Sequence, residues 1–264
     1  IDMKLHRINA IILHYWYHSK RSLPRMMDIF YWPTVDLILW GFISSFVSEF
    51  DSPLANTALF LVGAVILWSI FRRSQQDVAI AFLEDIWYRN LLNLFVTPLK
   101  VSEYIIGGIA VGIIKMFIVI AYMSVLAFAL YHFNLFTLGF SLILFIANLL
   151  LFGWAIGIFI SAIIFRYGTE TQILAFSLAF LLQPITAVFY PLSILPHSVQ
   201  IIAWLIPATH VFEGMRSVLG GNGFPFINFW WALGLNILYL ILASFFYART
   251  FRRVRELGLL SKVE

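Results

Sequence analysis

The chain has 264 residues, of which 62% are hydrophobic and 11% are charged, and its mean hydropathy is +0.92. Soluble globular domains carry roughly 25% charged residues, and a soluble fold could not remove so much apolar surface from water. These values exclude an ordinary soluble enzyme, a disordered chain and a nucleic-acid-binding protein, and they predict an all-α integral membrane protein. The sequence has no cysteine, which excludes disulfides and thiolate metal sites.

Residues 1–25 predict an amphipathic helix that lies on the inner surface of the membrane. Its apolar side chains recur at three- and four-residue spacing, with basic and His side chains largely elsewhere; the apolar set is Leu5, Ile8, Ile12, Tyr15 and Trp16. His14 and His18 share one face, as a metal-binding pair would. No further ligand cluster is nearby in the sequence, and we expect no metal site. Pro24 separates this helix from the first membrane span.

Six apolar stretches come close to or exceed the length of about 20 residues that a helix needs to cross a bilayer. They cover residues 32–50, 54–71, 104–130, 138–165, 171–190 and 227–248. Pro33 suits the first helical turn of the first span, and Arg72 and Arg73 close the second. The spans occupy most of the chain, which predicts a single membrane domain over residues 1–264 without an appended soluble domain.

The distribution of basic residues predicts the orientation. If both termini are cytoplasmic, all of the 17 Lys and Arg residues except Lys115 and Arg216 lie on the cytoplasmic side. Cytoplasmic loops are enriched in Lys and Arg, so we expect a multi-pass protein of the cell (inner) membrane with both termini inside. The same distribution explains the net charge of +4 without nucleic acid.

Residues 72–103 form a long cytoplasmic segment between the second and third spans. The segment mixes charges with apolar residues at helical spacing; its polar members include Asp77, Glu84, Asp85, Arg89, Asn90, Lys100 and Glu103. This pattern predicts a docking surface for a soluble partner. The alternative is a solvated loop with a helix resting on the membrane.

Residues 192–225 predict a hairpin of two short helices on the outer side. Pro196 can begin a helix that Pro207 ends, and a second helix over 209–219 is followed by two glycines. Each helix is about half as long as a bilayer is thick, which suggests a re-entrant hairpin and a candidate exit plug. The alternative is an ordinary interfacial helix with its charges in water.

Four polar side chains fall in or near apolar segments, where charge is costly. His210, Glu213 and Arg216 follow one another at three-residue spacing, which predicts a Glu213–Arg216 ion pair. Lys115 shares a helix face with two glycines that allow close packing. It points either into the protein, towards a carboxylate or a substrate phosphate, or towards the inner surface.

Two stretches of the sequence resemble the integral-membrane subunit of ABC transporters of the type-2 exporter family. Residues 82–99 read FLEDIWYRNLLNLFVTPL and are followed by Glu103 and Gly107. Residues 189–196 read FYPLSILP, residues 206–210 read IPATH and residues 212–216 read FEGMR. Ala208 replaces the larger apolar residue expected after the proline. With the span count and loop placement, the resemblance extends over most of the chain from the first span onward.

The resemblance implies a half-transporter in which two copies, as a homodimer, form the route through the membrane. Each copy would dock a separate ATPase that binds ATP and Mg, because this sequence has no GxxxxGK[ST] motif of its own. The ATPase-coupling residues would then be Glu84, Asp85, Arg89, Asn90, Thr97 and Pro98. The outer gate would contain Pro191, Pro196, Pro207, His210, Glu213 and Arg216, and Lys115 is a candidate residue of the route.

The substrate remains open at this level. Thr97, Pro98 and Leu99 favour the branch of the family that exports drugs and lipids, while lipid-linked glycans stay possible. Two other classes compete: an ion-coupled secondary transporter, and an intramembrane enzyme. The sequence shows no pair of similar halves with broken midplane helices and no Gly-x-Ser-x-Gly or His-Glu-x-x-His motif, so we favour the exporter subunit.

Overall fold

A computed structural model describes residues 5–48, 55–87 and 101–256. These ranges contain nine α-helices, three 3-10 turns and no strand, which confirms the all-α class for the described residues. The helices are α1 (Leu5–Arg21), α2 (Leu23–Ser48), α3 (Ala55–Trp87), α4 (Val101–Tyr131), α5 (Phe140–Tyr167), α6 (Ile173–Leu182), α7 (His197–Trp204), α8 (Pro207–Leu219) and α9 (Phe226–Glu256).

The predicted N-terminal helix is present as α1. It buries Ile8, Ile11 and Tyr15, whereas Leu5 is exposed, so the packed stripe includes Ile11 in place of Ile12. This stripe lies on α4, where a Cβ atom on Gly107 would come within 2.5 Å of Ile11 Cγ2. The absence of a side chain at Gly107 therefore allows α1 to approach α4 closely.

The first predicted span begins earlier than expected. Helix α2 starts at Leu23, with only Ser22 between it and the end of α1, and Pro33 lies inside it instead of at its first turn. Proline lacks the N–H that would bond one turn back. Next to it, the hydroxyl of Thr34 donates to the carbonyl of Phe30 at 2.6 Å and lies 2.8 Å from the Tyr122 hydroxyl. The helix stays continuous through the proline, with these two Thr34 contacts beside it.

Helix α3 does not end where the apolar run ends. The second span was predicted to close at Arg72 and Arg73, but the helix continues through both to Trp87. Residues 72–87 contain no proline or glycine, and the side chains of Arg73, Ser74 and Gln75 are buried inside the protein. Gln75 is fully buried and its amide donates to the carbonyl of Ala175 at 3.1 Å. The beginning of the predicted cytoplasmic segment is therefore part of the same helix as the second span.

Four helical segments in the described ranges are long and apolar enough to cross a membrane: Ile29–Val47, Ile106–Tyr131, Phe140–Tyr167 and Phe226–Val254. They correspond to the predicted first, third, fourth and sixth spans. Their exposed surfaces carry large apolar side chains such as Phe42, Val125 and Trp230, each more than 60% exposed. Exposed apolar surface of this kind suits lipid as the surrounding solvent.

The predicted fifth span, over 171–190, is not one continuous helix. A 3-10 turn, Thr169–Gln172, leads into α6, which has ten residues and ends at Leu182. Residues 183–190 then form turns and bends, because Pro184 cannot continue the hydrogen-bond ladder and Ala187 adopts a left-handed conformation with φ 51°. The segment is therefore a short helix followed by non-helical backbone instead of a single helix.

Helix α5 lies at the centre of the bundle, packed between α3 and α9. Phe71 of α3 stacks on Phe152 of α5 with ring centroids 5.0 Å apart. Asn236 of α9 donates to the backbone and side-chain oxygens of Asn148 at 3.0 and 2.9 Å, and both residues are buried. These contacts make α3, α5 and α9 one unit, against which the outer hairpin rests.

Candidate functional site

The two short helices of the predicted outer hairpin are α7 and α8. Pro191 precedes a 3-10 turn at Leu192–Ile194, Pro196 precedes α7, and Pro207 is the first residue of α8. With 8 and 13 residues, the helices are about 12 and 20 Å long, so neither could cross a hydrocarbon core of about 30 Å. The expected pair of half-length helices is confirmed.

Glu213 and Arg216 form the ion pair that their spacing predicts. Glu213 Oε1 lies 3.0 Å from an Arg216 Nη atom and also accepts a hydrogen bond from the backbone N–H of Leu192 at 2.7 Å. Arg216 donates to the carbonyl of Ala187 and lies over the ring of Phe60, 4.4 Å from its centroid. The pair therefore fastens α8 to the non-helical segment after α6 and to α3.

Burial and pairing act on Arg216 in opposite directions. Its side chain is 16% exposed, and desolvation lowers the pKa of Arg216, while the charge of Glu213 and their hydrogen bond raise it. The Glu213 side chain is 24% exposed. Both side chains of the ion pair therefore point into the protein. This geometry disfavours the alternative of an interfacial helix with its charges in water.

His210 lies on the same helix but takes no part in this ion pair. It is buried, its Nε2 donates to the carbonyl of Trp204 at 2.9 Å, and its ring lies near those of Trp204 and Trp231, with centroids 5.0 and 6.4 Å away. Its Nδ1 has no hydrogen-bond partner within the described ranges. Burial lowers the pKa of His210, and the bond to Trp204 and the charge of Glu213 partly oppose this. Of the three residues that follow one another at three-residue spacing, Glu213 and Arg216 therefore form an ion pair, and His210 bonds elsewhere.

Helix α8 is packed into the bundle along most of its length. Phe212 is fully buried, with its ring 6.0 Å from that of Trp68, and a Cβ atom on Gly214 would come within 3.1 Å of the Phe145 ring. The hairpin therefore has one side built into the core, so that it cannot move without separating core side chains.

Lys115 points into the protein, which decides between the two predicted orientations. Its Nζ lies 3.5 Å from Asp77 Oδ1 of α3, and the two side chains are 17% and 14% exposed. Gly112, one turn away, faces Asp77 at van der Waals distance. A carboxylate on a neighbouring helix is thus the partner of Lys115, as one alternative predicted.

Ion pairs that the sequence did not indicate also join helices within the described ranges. Arg72 lies 3.0 Å from Asp36 Oδ2 and joins α3 to α2, and Arg7 lies 3.5 Å from Glu103 and joins α1 to α4. The partners are 36 and 96 residues apart along the chain, so no sequence spacing could indicate them.

The predicted coupling residues lie at the edge of the described structure. Glu84 and Asp85 are in the last turns of α3, where only the backbone is described, and Arg89, Asn90, Thr97 and Pro98 lie outside the described residues. Their coupling role stays a prediction. In the part of the chain that is described, no group of three or more His, Asp or Glu side chains is placed to hold a metal ion.

A comparison with known protein families shows which family this chain belongs to. A family model described as "ABC-2 family transporter protein" matches residues 43–249, which include α3 to α8. The chain belongs to the ABC-2 transporter family. No curated protein sequence matches it. The ABC-2 match confirms the family resemblance, and it makes the chain a multi-pass component of a membrane transport system.

Proposed function

We propose that this ABC-2 protein is the permease subunit of an ATP-driven ABC exporter. The observation that carries the proposal is the family match over residues 43–249. A separate P-loop ATPase would bind ATP and Mg, since the sequence has no phosphate-binding loop of the GxxxxGK[ST] type. Two copies of the chain would form the route through the membrane as a homodimer.

In this proposal six segments cross the inner membrane with both termini cytoplasmic. The two segments beyond the four long apolar helices are the apolar part of α3, predicted over 54–71, and the segment 171–190 that contains α6. The enrichment of Lys and Arg on the side of both termini supports the orientation. Helix α1 would lie along the inner surface, where the exposed Lys20 would meet anionic lipid headgroups.

ATP-driven closure of the partner would act on residues 72–103. Helix α3 supports this role because it has 33 residues without a break and so extends about 50 Å, from Ala55 to Trp87. A displacement at its Trp87 end would reach the membrane interior without being absorbed by a hinge. Transport gains direction if the substrate binds the resulting arrangements of the two subunits with different affinity.

The hairpin of α7 and α8 would bar the exit between cycles. Non-helical backbone at membrane depth is tolerated where protein covers it, and Glu213 and Arg216 bond to the backbone of the segment that leads into the hairpin. The exported molecule would be amphiphilic or hydrophobic: a drug, a lipid or a lipid-linked glycan. The aromatic content of 18% leaves apolar rings available along such a route.

Gentle purification followed by reconstitution tests the proposal. We expect a P-loop ATPase to co-purify, and transport in proteoliposomes to require ATP and to persist when ion gradients are dissipated. Charge reversal by Glu84→Lys or Arg89→Glu should abolish transport while membrane insertion is retained. Glu170→Lys, at an exposed position outside the coupling region, is the control and should transport normally. Transport driven by an ion gradient without an ATPase would refute the proposed class.

A further inference from the structure

The turn that joins α8 to α9 contains the one Asn-Gly pair of the sequence, Asn222 and Gly223. Residues 220–223 are all exposed, and all of them except Asn222 are glycines. Gly221 and Gly223 have φ values of 77° and 79°, which glycine adopts at little cost. An exposed asparagine thus lies in a segment of backbone with few steric restrictions.

This turn is held at both ends and free in between. At its start, the N–H of Asn222 donates to the carbonyl of Ser217 at 3.0 Å, as part of a Schellman cap of α8. At its end, the ring of Phe224 stacks on that of Phe145, with centroids 6.3 Å apart. Within the described part of the chain, neither the Asn222 side chain nor the Gly223 N–H makes a hydrogen bond. The side-chain amide and the backbone nitrogen that follows it are therefore both accessible and unpaired.

We propose that Asn222 is a site of spontaneous deamidation. The backbone nitrogen of Gly223 loses its proton and attacks the side-chain Cγ of Asn222, so that a bond forms between these two atoms. The Cγ–Nδ2 bond breaks, the amide group takes up a proton and leaves as ammonia, and a succinimide ring remains. Gly223 favours the attack because it has no Cβ atom beside the attacking nitrogen.

Water completes the reaction by adding to either carbonyl carbon of the ring. Opening at Cγ leaves an aspartate in place of Asn222, and opening at the main-chain carbonyl carbon leaves isoaspartate, which lengthens the backbone by one carbon. Either product carries a new negative charge, and nothing is oxidised or reduced. The N–H of Asn222 keeps its bond to Ser217, so the end of α8 is retained while the link to α9 changes. The reaction goes beyond the proposed function, because it needs neither ATP nor a partner.

The test is mass spectrometry of the full chain, purified in detergent and incubated at several pH values between 6.5 and 8.5. After proteolysis, the fragment that contains Asn222 should gain the mass difference between a carboxyl and an amide group. A methyltransferase specific for isoaspartate should label part of this fragment. The conversion should become about tenfold faster with each pH unit, because the deprotonated fraction of a weak acid rises by that factor below its pKa.

Asn134 is the matched control within the same chain. It is also exposed and lies in the turn between α4 and α5. Its side-chain oxygen accepts a hydrogen bond from the N–H of Phe136 at 3.0 Å, and the next residue, Leu135, is 1% exposed. Asn134 should therefore keep its amide under conditions in which Asn222 loses it.

Two alanine variants separate the attack from backbone strain. Gly221→Ala and Gly223→Ala both introduce a Cβ atom at positive φ, with nothing within 4 Å of it. Gly223→Ala alone adds this atom beside the attacking nitrogen, so it should slow the conversion about tenfold or more, whereas Gly221→Ala should change the rate less than about threefold. The proposal is overturned if Asn222 keeps its amide in the folded chain for as long as the guanidinium-unfolded chain needs to lose it. It is also overturned if Asn134 converts equally fast, or if both alanine variants slow the conversion equally.

Discussion

The contact between α3 and α5 depends on two glycines, and this gives the sharpest prediction. A Cβ atom at Gly153 would lie 1.7 Å from Ser74 Oγ, 2.8 Å from Ser74 Cβ and 3.0 Å from the backbone N of Gln75. At Gly157 it would lie 2.8 Å from the backbone O of Gln75. Because the neighbouring atoms include backbone, the clash cannot be relieved by rotating a flexible side chain.

Gly153→Ala should therefore lower the free energy of unfolding by about 1–3 kcal/mol, the usual cost of overpacking a core. Gly234→Ala is the control, because nothing lies within 4 Å of the Cβ position on α9; helix propensity alone should then raise stability by up to about 1 kcal/mol. The measurement is thermal unfolding of each purified variant in detergent, followed by tryptophan fluorescence.

A second substitution tests whether the clash itself is responsible. Ser74→Gly removes the two closest atoms, so the double variant Gly153→Ala/Ser74→Gly should lose less stability than the sum of the two single variants. Equal stability of Gly153→Ala and Gly234→Ala would refute the inferred close packing of α3 on α5, and so would strict additivity in the double variant.

Three other contacts give further predictions. Lys115→Gln and Asp77→Asn should each lower the unfolding free energy by about 1–3 kcal/mol, and the double variant should lose less than their sum; additive losses would show that the pair contributes nothing. Glu213→Leu, which removes the acceptor, should cost about 1–3 kcal/mol and speed amide hydrogen exchange at Leu192, and unchanged exchange would contradict the bond between them. Burial lowers the pKa of His210 from its usual 6.5, so its contribution to stability is complete above pH 6.5 and is lost as the pH falls towards the folded-state pKa. His210→Gln should flatten this dependence in unfolding measured from pH 7.5 to pH 5, whereas an identical pH profile would exclude His210 as its source.

Local chemistry made the hairpin predictable from the sequence. Proline and glycine set the ends of short helices through their own backbone preferences, and α8 ends at the expected glycines, with Gly221 at φ 77°. The Glu213–Arg216 pair follows from i, i+3 spacing on a helix. Such features depend on neighbours along the chain and hardly on the rest of the fold.

Features set by tertiary contacts were not predictable in the same way. Residues 171–190 have the composition of a span, but the helix breaks after Leu182, and Arg216 of α8 bonds to the carbonyl of Ala187 beyond the break. Arg72 looked like the end of a helix because charge usually marks the end of a span, yet Asp36 on another helix partners it. The Gly153 and Gly157 spacing indicates close packing, but only the structure shows that the partner is α3.

The bonds at Ala187 and Leu192 have a mechanical consequence for any opening of the outer side. Lifting α8 alone would strip a carbonyl and an amide of their partners, at a cost of about 1–3 kcal/mol for each buried group left without a partner. Swinging α8 together with residues 187–192 keeps both bonds intact. Any movement of α8 that keeps these bonds must therefore take residues 187–192 with it.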